Sequence, residues 1–193
     1  MVRHDINKVI GVGQKLFQSQ GYFNTGTEEI LEKSGYPRSS FYYHFKSKEG
    51  FASRVLEQYG DSAAEYYNSL LFDDSGSSSL ERLEGLAETI ANTAVEREFK
   101  TECLVQKLSI ECAGFNDVLR VSTDRQLKKI LNVLDACIQE GQQQREIRQD
   151  IDSMEMAGMV QSQIYGAFIL GRLTRDGDGM KRNIKRVLDY IRI

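Results

Sequence analysis

The chain of 193 residues contains one proline, no tryptophan and only two histidines. Scarce proline favours long helices, because proline interrupts a helix wherever it falls inside one. No apolar run is long enough to span a bilayer, so the sequence predicts no membrane contact through a transmembrane helix. Residues 1–5 lack the apolar stretch of a signal peptide, and we therefore expect a cytoplasmic protein.

Several kinds of site are missing as well. The three cysteines are an odd number, and without a secretory signal they favour reduced thiols over a disulfide framework. No cysteine spacing fits a metal site, and no glycine-rich loop fits a phosphate. Both histidines, His4 and His44, fall in the first quarter of the chain. We expect no metal, no cofactor and no catalytic acid–base pair, which disfavours an enzyme.

The charge does not exclude a nucleic-acid partner, although the net charge is −3. Residues 1–50 carry 7 Lys and Arg against 5 Asp and Glu, so the acidic excess lies in the remainder of the chain. Affinity for phosphates depends on local charge rather than on the total.

Residues 21–51 are the most informative stretch, and they predict two short helices joined by a tight turn. Thr25 is the predicted N-cap of the first helix, and Glu28 completes a capping box three residues later. Gly35 supplies the left-handed residue that ends this helix. Pro37 suits the first turn of the second helix. Helix, glycine turn and short second helix together are the helix-turn-helix layout.

The same stretch contains a characteristic set of residues: Thr25, Glu29, Ile30, Ser34, Gly35, residues 40–49 (SFYYHFKSKE) and Phe51. Together they resemble the signature of the TetR family of bacterial transcriptional regulators. Pro37 stands where the family often has serine, and Arg38-Ser39 replaces a common Lys-Gly. These positions face the bases in the family, so the departures affect the target sequence rather than the binding mode.

The resemblance implies an all-α fold with two domains: a three-helix DNA-binding head, residues 1–48, and a helical regulatory and dimerisation body, residues 49–193. Apolar residues at helical spacing predict the first helix over residues 5–20. Two terminal apolar helices, over about 152–174 and 179–192, match those with which the family builds a homodimer through a four-helix bundle. Periodicity alone fits packing within one chain equally well.

The second helix of the motif carries the predicted DNA contacts. The guanidinium of Arg38 suits a guanine edge, because its fork can donate two hydrogen bonds at once. Phe41 and Phe45 are expected in the core instead. The resemblance assigns most of the remaining positions to the DNA backbone, and Thr25 can offer its hydroxyl and a helix N-terminus to a phosphate. The predicted DNA-binding residues are Thr25, Thr27, Pro37, Arg38, Ser39, Ser40, Tyr42, Tyr43, His44 and Lys48.

Residues 100–111 are the one stretch of the body expected to carry chemistry. If Thr101 caps this helix, Cys103 lies in its first turn, where the helix dipole and Lys107 favour a thiolate and Glu102 opposes it. The stretch also resembles the TetR branch that senses electrophiles and oxidants through such a cysteine, the N-ethylmaleimide-responsive repressor-like branch. That branch commonly has glycine at the position of Glu102. Packing is the alternative role for Cys103.

The other candidates in the body have simpler interpretations. Cys112 and Cys137 are expected to pack as small apolar side chains. Tyr165 and Phe168 join Cys103 and Lys107 as predicted sensing residues, since aromatic side chains can line a ligand pocket. Core packing is the alternative for each aromatic considered, namely Tyr66, Phe99, Phe115, Tyr165 and Phe168.

We therefore expect a homodimeric repressor that binds double-stranded, near-palindromic operator DNA. A small-molecule effector, or modification of Cys103 by an electrophile, would release it. The alternatives are a helical ligand-binding or scaffold protein without regulatory DNA binding, and a small cysteine-dependent enzyme. The operator, the regulated genes, the inducer, and the choice between repression and activation are left open by the sequence.

Overall fold

The computed structural model describes residues 5–72, 76–100 and 102–193. In these ranges the secondary structure is helical apart from one isolated β-bridge between Ile147 and Arg192. This confirms the all-α prediction. The helices are α1 (Ile6–Gln20), α2 (Thr27–Ser34), α3 (Arg38–Phe45), α4 (Lys48–Phe72), α5 (Ser79–Glu96), α6 (Leu104–Cys112), α7 (Asp117–Gln143), α8 (Ser153–Thr174) and α9 (Gly177–Ile191).

The chain divides into two compact units, each with its own hydrophobic core. Unit 1 takes in the described residues of 1–62 and 102–127, and unit 2 those of 63–101 and 128–193. Unit 1 therefore contains α6 in addition to the helix-turn-helix. The predicted boundary after residue 48 stays a prediction about which segment binds DNA.

The core of unit 1 fixes the second helix of the motif. Phe41 and Phe45 of α3 are buried, as predicted, and both rings lie 4.9 Å from the ring of Phe51 at the start of α4. α1 contributes the buried face that its periodicity predicts, and α6 adds Leu104 and Leu108 to the same cluster. Because α3 is anchored on its inner side, its opposite side faces solvent.

The core of unit 2 is built from α5, α8 and α9, with buried residues of α4 and α7 in the same cluster. α9 packs on both α5 and α8 and buries Ile184 and Leu188. Packing within one chain therefore accounts for the apolar face of α9. On α8 an apolar stripe stays outside the core: Ile169, Leu170 and Leu173 are 48%, 51% and 76% exposed.

The predicted end of α2 is confirmed, and side chains cap the starts of two later helices. Gly35 ends α2 in the left-handed conformation (φ 67°). The Ser47 hydroxyl accepts a hydrogen bond from the Gly50 N–H at 3.1 Å, at the start of α4. The Asp152 side chain caps α8 by accepting from the N–H groups of Met154 and Glu155.

Other helix ends depend on packing rather than on a local glycine or cap. α7 continues through Gly141 to Gln143, and a side chain at Gly141 would collide with Ile147 and Ser79, so this glycine allows close packing instead of ending the helix. α5 ends at Glu96. The polar run of residues 73–79 favours a loop, and its residues 73–75 lie outside the described residues, as does the predicted cap Thr101.

Candidate nucleic-acid interface and sensing cysteine

The helix-turn-helix geometry is set by local backbone signals. The N–H of Gly35 bonds to the carbonyl of Leu31 at 2.9 Å and closes α2. Pro37 is the N-cap of α3 rather than its first helical residue, with φ −65° and ψ 136°. Proline before the first helical residue holds the extended entry without losing a needed N–H donor.

The solvent-facing side of α3 brings most of the predicted DNA-binding residues together. Tyr43 is the most exposed of its aromatic residues, at 72%. Polar and aromatic groups on one exposed helix face suit the edges of bases and the phosphate backbone. The residues on this face are Arg38, Ser39, Tyr42, Tyr43 and His44, which are exposed, and Ser40, which is half-buried.

Arg38 already has a partner on the neighbouring helix. Its guanidinium forms an ion pair with Glu28 of α2 and lies 5.8 Å from the ring centroid of Tyr42. Both charged side chains are more than half exposed, so water screens the pair and its net stabilisation is small. Glu28 therefore orients the guanidinium without burying it. The sequence prediction gave Glu28 only a capping role.

Lys46 is a basic residue of this face that the sequence prediction left out. It ends α3 with φ 66°, and its ammonium donates to the Tyr43 carbonyl at 2.7 Å and lies 5.2 Å from the Tyr43 ring centroid. The run that carries the family resemblance contains this lysine. The position of Lys46 directly after the predicted recognition helix is the sequence signal that could have identified it.

Lys48 has a different environment. Its ammonium lies 4.2 Å from the ring centroid of buried Tyr22, a cation–π contact, and burial lowers the pKa of this ammonium. The phenol of Tyr22 interacts with the carboxylate of Glu49, and burial followed by that carboxylate raises the pKa of the phenol. Lys48 is thus directed to the core of unit 1 as well as to its surface.

Thr25 does not occupy its predicted position. Gly26 is the N-cap of α2, and the Thr25 side chain is fully buried, with its hydroxyl donating to the Gly21 carbonyl at 2.6 Å. The hydroxyl is therefore unavailable to a phosphate. No side chain caps α2, so the N–H groups of its first turn, beside half-buried Thr27, are available to an anion.

Cys103 is the N-cap of α6, with φ −61° and ψ 123°, so its predicted place in the first helical turn is wrong. Its side chain is half-buried. The ammonium of Lys107 pairs with the Glu102 carboxylate at 2.8 Å and donates to the Gln18 carbonyl at 3.0 Å. Lys107 therefore serves partners other than a thiolate.

The remaining thiols are buried, as predicted. Cys112 and Cys137 have no exposed surface, and burial raises the pKa of each thiol to about 11. A thiol with a raised pKa and no access to solvent is a poor nucleophile. Cys103 is thus the cysteine best placed to react.

The other predicted sensing residues lie in unit 2. Tyr165 and Phe168 are half-buried on α8, and Phe168 packs against the core of that unit. Tyr66 and Phe115 are exposed, and Phe99 is buried. A cleft of about 480 Å³ in unit 2 has a largely charged lining that includes none of these aromatic residues. It is lined by Asn92, Val95, Glu96, Arg175, Asp176, Gly177, Asp178 and Lys181.

Within the ranges that the structure describes, no helix is long and apolar enough to cross a membrane. The same ranges hold no group of three or more His, Cys, Asp or Glu side chains placed to bind a metal ion.

A two-helix motif with an anchored inner face and an exposed polar outer face defines a helix-turn-helix DNA-binding protein. Residues 9–55 match the family "Bacterial regulatory proteins, tetR family", and residues 79–187 match "Tetracyclin repressor-like, C-terminal domain". The chain belongs to the TetR family of transcriptional regulators. Members of this family regulate transcription, which excludes the alternative of a small cysteine-dependent enzyme.

Individual relatives agree with this family. The chain is 25% identical over 179 residues to the HTH-type transcriptional repressor DhaR of Mycobacterium sp. (strain GP1), covering 93% of this chain and 88% of that protein. It is 21% identical over 189 residues to the HTH-type transcriptional repressor NemR of Escherichia coli (strain K12), covering 97% and 94%. These similarities extend over both compact units.

Solved structures show the same fold. The reduced form of E. coli NemR superposes with a TM-score of 0.84 at 20% identity, covering 97% of this chain and 96% of that one. A TetR regulatory protein from Rhodobacter sphaeroides gives a TM-score of 0.82 at 23% identity, covering 95% and 97%.

Proposed function

We propose that the protein is a homodimeric repressor that binds near-palindromic operator DNA through α3 and dissociates when α6 is perturbed at Cys103. The observation that carries the DNA-binding part is the outer face of α3, where Arg38 and exposed tyrosines stand on a helix anchored by Phe41 and Phe45. We propose repression rather than activation because the similar proteins DhaR and NemR are named as transcriptional repressors.

The homodimer is supported by two features. Dimeric helix-turn-helix proteins bind paired half-sites in the DNA, and each protomer binds one half-site. The exposed stripe of α8, Ile169, Leu170 and Leu173, is an apolar surface of the kind that a second copy buries. A protein that binds chromosomal operator DNA acts where the chromosome lies, which supports the expected cytoplasmic location.

The effector is proposed to act at Cys103, with Lys107, Tyr165 and Phe168 as the further predicted sensing residues. An adduct on a half-buried N-cap adds volume where α6 begins, and close-packed interiors transmit such strain. Only a difference in free energy between the binding and non-binding states can release the DNA. A ligand bound among the aromatic residues of the body is the competing effector.

The test uses fluorescence anisotropy on a duplex that the wild type selects from a random pool. We expect tight binding by the reduced protein, loss of binding with Arg38→Ala and Tyr42→Ala, and release of the wild type by one equivalent of a thiol electrophile. Cys103→Ser should stay bound after treatment, whereas the matched control Cys137→Ala should release like the wild type. Release of Cys103→Ser refutes thiol sensing, and selection of no duplex refutes operator binding.

A further inference from the structure

α6 touches the helix-turn-helix through side-chain to backbone hydrogen bonds as well as through the core. The carboxylate of Glu111 accepts from the Tyr22 N–H at 2.7 Å, and the ammonium of Lys107 donates to the Gln18 carbonyl at 3.0 Å. Lys107 and Glu111 are four residues apart on α6, so the two contacts are separated by one helical turn. Their partners, Gln18 and Tyr22, are also four residues apart. They join segments separated by 89 residues of sequence.

The charges of these contacts match the backbone that they meet. Gln18 lies in the last turn of α1, whose carbonyls carry the negative end of the helix dipole, and Lys107 brings a positive charge there. Tyr22 follows the end of α1, and Glu111 brings an acceptor to its N–H. Both are charge-assisted hydrogen bonds in partly buried surroundings, where such bonds are stronger than neutral ones.

The backbone beside Glu111 is shaped for this contact. Gly21 has φ +85°, and a Cβ atom there would overlap the Glu111 carboxylate. Any other residue at position 21 would be strained and would also displace the carboxylate. The sequence therefore keeps an opening in the turn after α1 that the side chain of Glu111 fills.

The residue held by Glu111 is central to the head. Tyr22 is 5% exposed, its ring packs 5.8 Å from the ring of Phe17, and the Lys48 ammonium lies over it at 4.2 Å. Its backbone is thus held by α6, and its side chain by α1 and by the start of α4. A shift of α6 cannot leave Tyr22 in place without breaking the bond to Glu111.

Resting on the operator-binding function proposed above, we infer that Glu111 and Lys107 are positioning residues that hold the helix-turn-helix to α6 in the orientation required by both half-sites of the operator. Cys103, the N-cap of the same helix, lies one turn before Lys107. Displacement of α6 loosens the two bonds, the head samples other orientations, and the fraction able to engage two half-sites falls.

Three variants test this inference on two duplexes: the one selected by the wild type, and a copy with one half-site scrambled. Glu111→Ala should weaken binding to the complete duplex about tenfold, the order expected for a lost charge-assisted bond. On the single half-site, orientation between heads does not matter, so affinity should change little. Lys107→Met should show the same split, and Glu111→Gln, which keeps an acceptor oxygen, should restore most of the affinity.

The control is Asp117→Ala, which removes an exposed carboxylate that pairs with Arg120; affinity for both duplexes should stay at the wild-type level. A structural role alone would lower affinity for both duplexes equally, and that result would overturn the inference.

A second readout needs no DNA. The Tyr22 amide should exchange with solvent faster in Glu111→Ala than in the wild type or Asp117→Ala, as measured by NMR. Unchanged exchange, or faster exchange with unchanged operator affinity, overturns the inference. If the wild type selects no duplex, the proposed function fails, and the exchange result alone decides whether Glu111 holds the turn.

Discussion

Arg38 gives the sharpest prediction about the recognition of DNA bases, because the structure shows which contacts its guanidinium makes without DNA. It is tied to Glu28, with the two side chains 63% and 72% exposed. Such exposed pairs contribute about 0 to 1 kcal/mol. A bidentate contact from arginine to guanine discriminates against the wrong base by about 1 to 3 kcal/mol. The guanidinium therefore gains more from the base than it loses by leaving Glu28.

The perturbations are Arg38→Ala and Glu28→Gln, measured by anisotropy on the selected duplex and on a random duplex at a fixed salt concentration. Arg38→Ala should weaken binding to the selected duplex roughly 5- to 150-fold, the range that corresponds to 1 to 3 kcal/mol, and should relax the preference at one base pair. Glu28→Gln should tighten binding to both duplexes by up to about fivefold, because it removes a competing carboxylate near the phosphates.

Arg54 and Glu57 provide a matched control, since they form an exposed ion pair one turn apart on α4. Arg54→Ala should leave the base preference unchanged. The reasoning about Arg38 is refuted if Arg38→Ala weakens both duplexes by the same factor, since that is the behaviour of a phosphate contact rather than of a base contact.

Three further predictions concern the thiols and the core of unit 2. Iodoacetamide should label Cys103 in the folded protein well before Cys112 and Cys137, by peptide mass spectrometry; equal labelling would contradict their burial. Burial raises the pKa of the Cys137 thiol from 9.0 to about 11, because it favours the neutral form. The contribution of this thiol to the free energy of unfolding is therefore complete below pH 9 and is lost as pH rises towards 11. Cys137→Ala should flatten the fall in the free energy of urea unfolding over that window, and an unchanged slope would contradict this. Buried Arg82 bonds the Leu71 carbonyl and the Ser79 hydroxyl and pairs with Glu140 at 2.8 Å, so Arg82→Ala should cost about 3 kcal/mol and lower Tm by about 6 to 12 °C. Glu140→Gln leaves the buried guanidinium without its counter-charge but keeps an acceptor oxygen, so it should also destabilise the protein, by less than Arg82→Ala; a loss as large as that of Arg82→Ala would show that the ion pair dominates over the contacts to Leu71 and Ser79.

The sequence by itself determined the features that depend on neighbouring residues. Gly35 marks the end of α2 because glycine adopts the left-handed conformation at little cost. Phe41 and Phe45 were assigned to the core because they share one face of a helix at a spacing of four residues. The run of residues 41–49 identified the family because its residue types recur together in known regulators.

Only the tertiary structure decided the features that depend on distant partners. The cap of α2 falls on Gly26 because the Thr25 hydroxyl finds the Gly21 carbonyl in the interior. α7 passes through Gly141 because packing against Ile147 outweighs the low helix propensity of glycine.

The bond from Glu111 to Tyr22 belongs to the same group. Spacing along a helix predicts which side chains share a face, but it does not say which distant backbone that face meets. For this reason the sequence predicted the recognition helix and its family, while the contacts by which α6 holds the head emerged only from the fold.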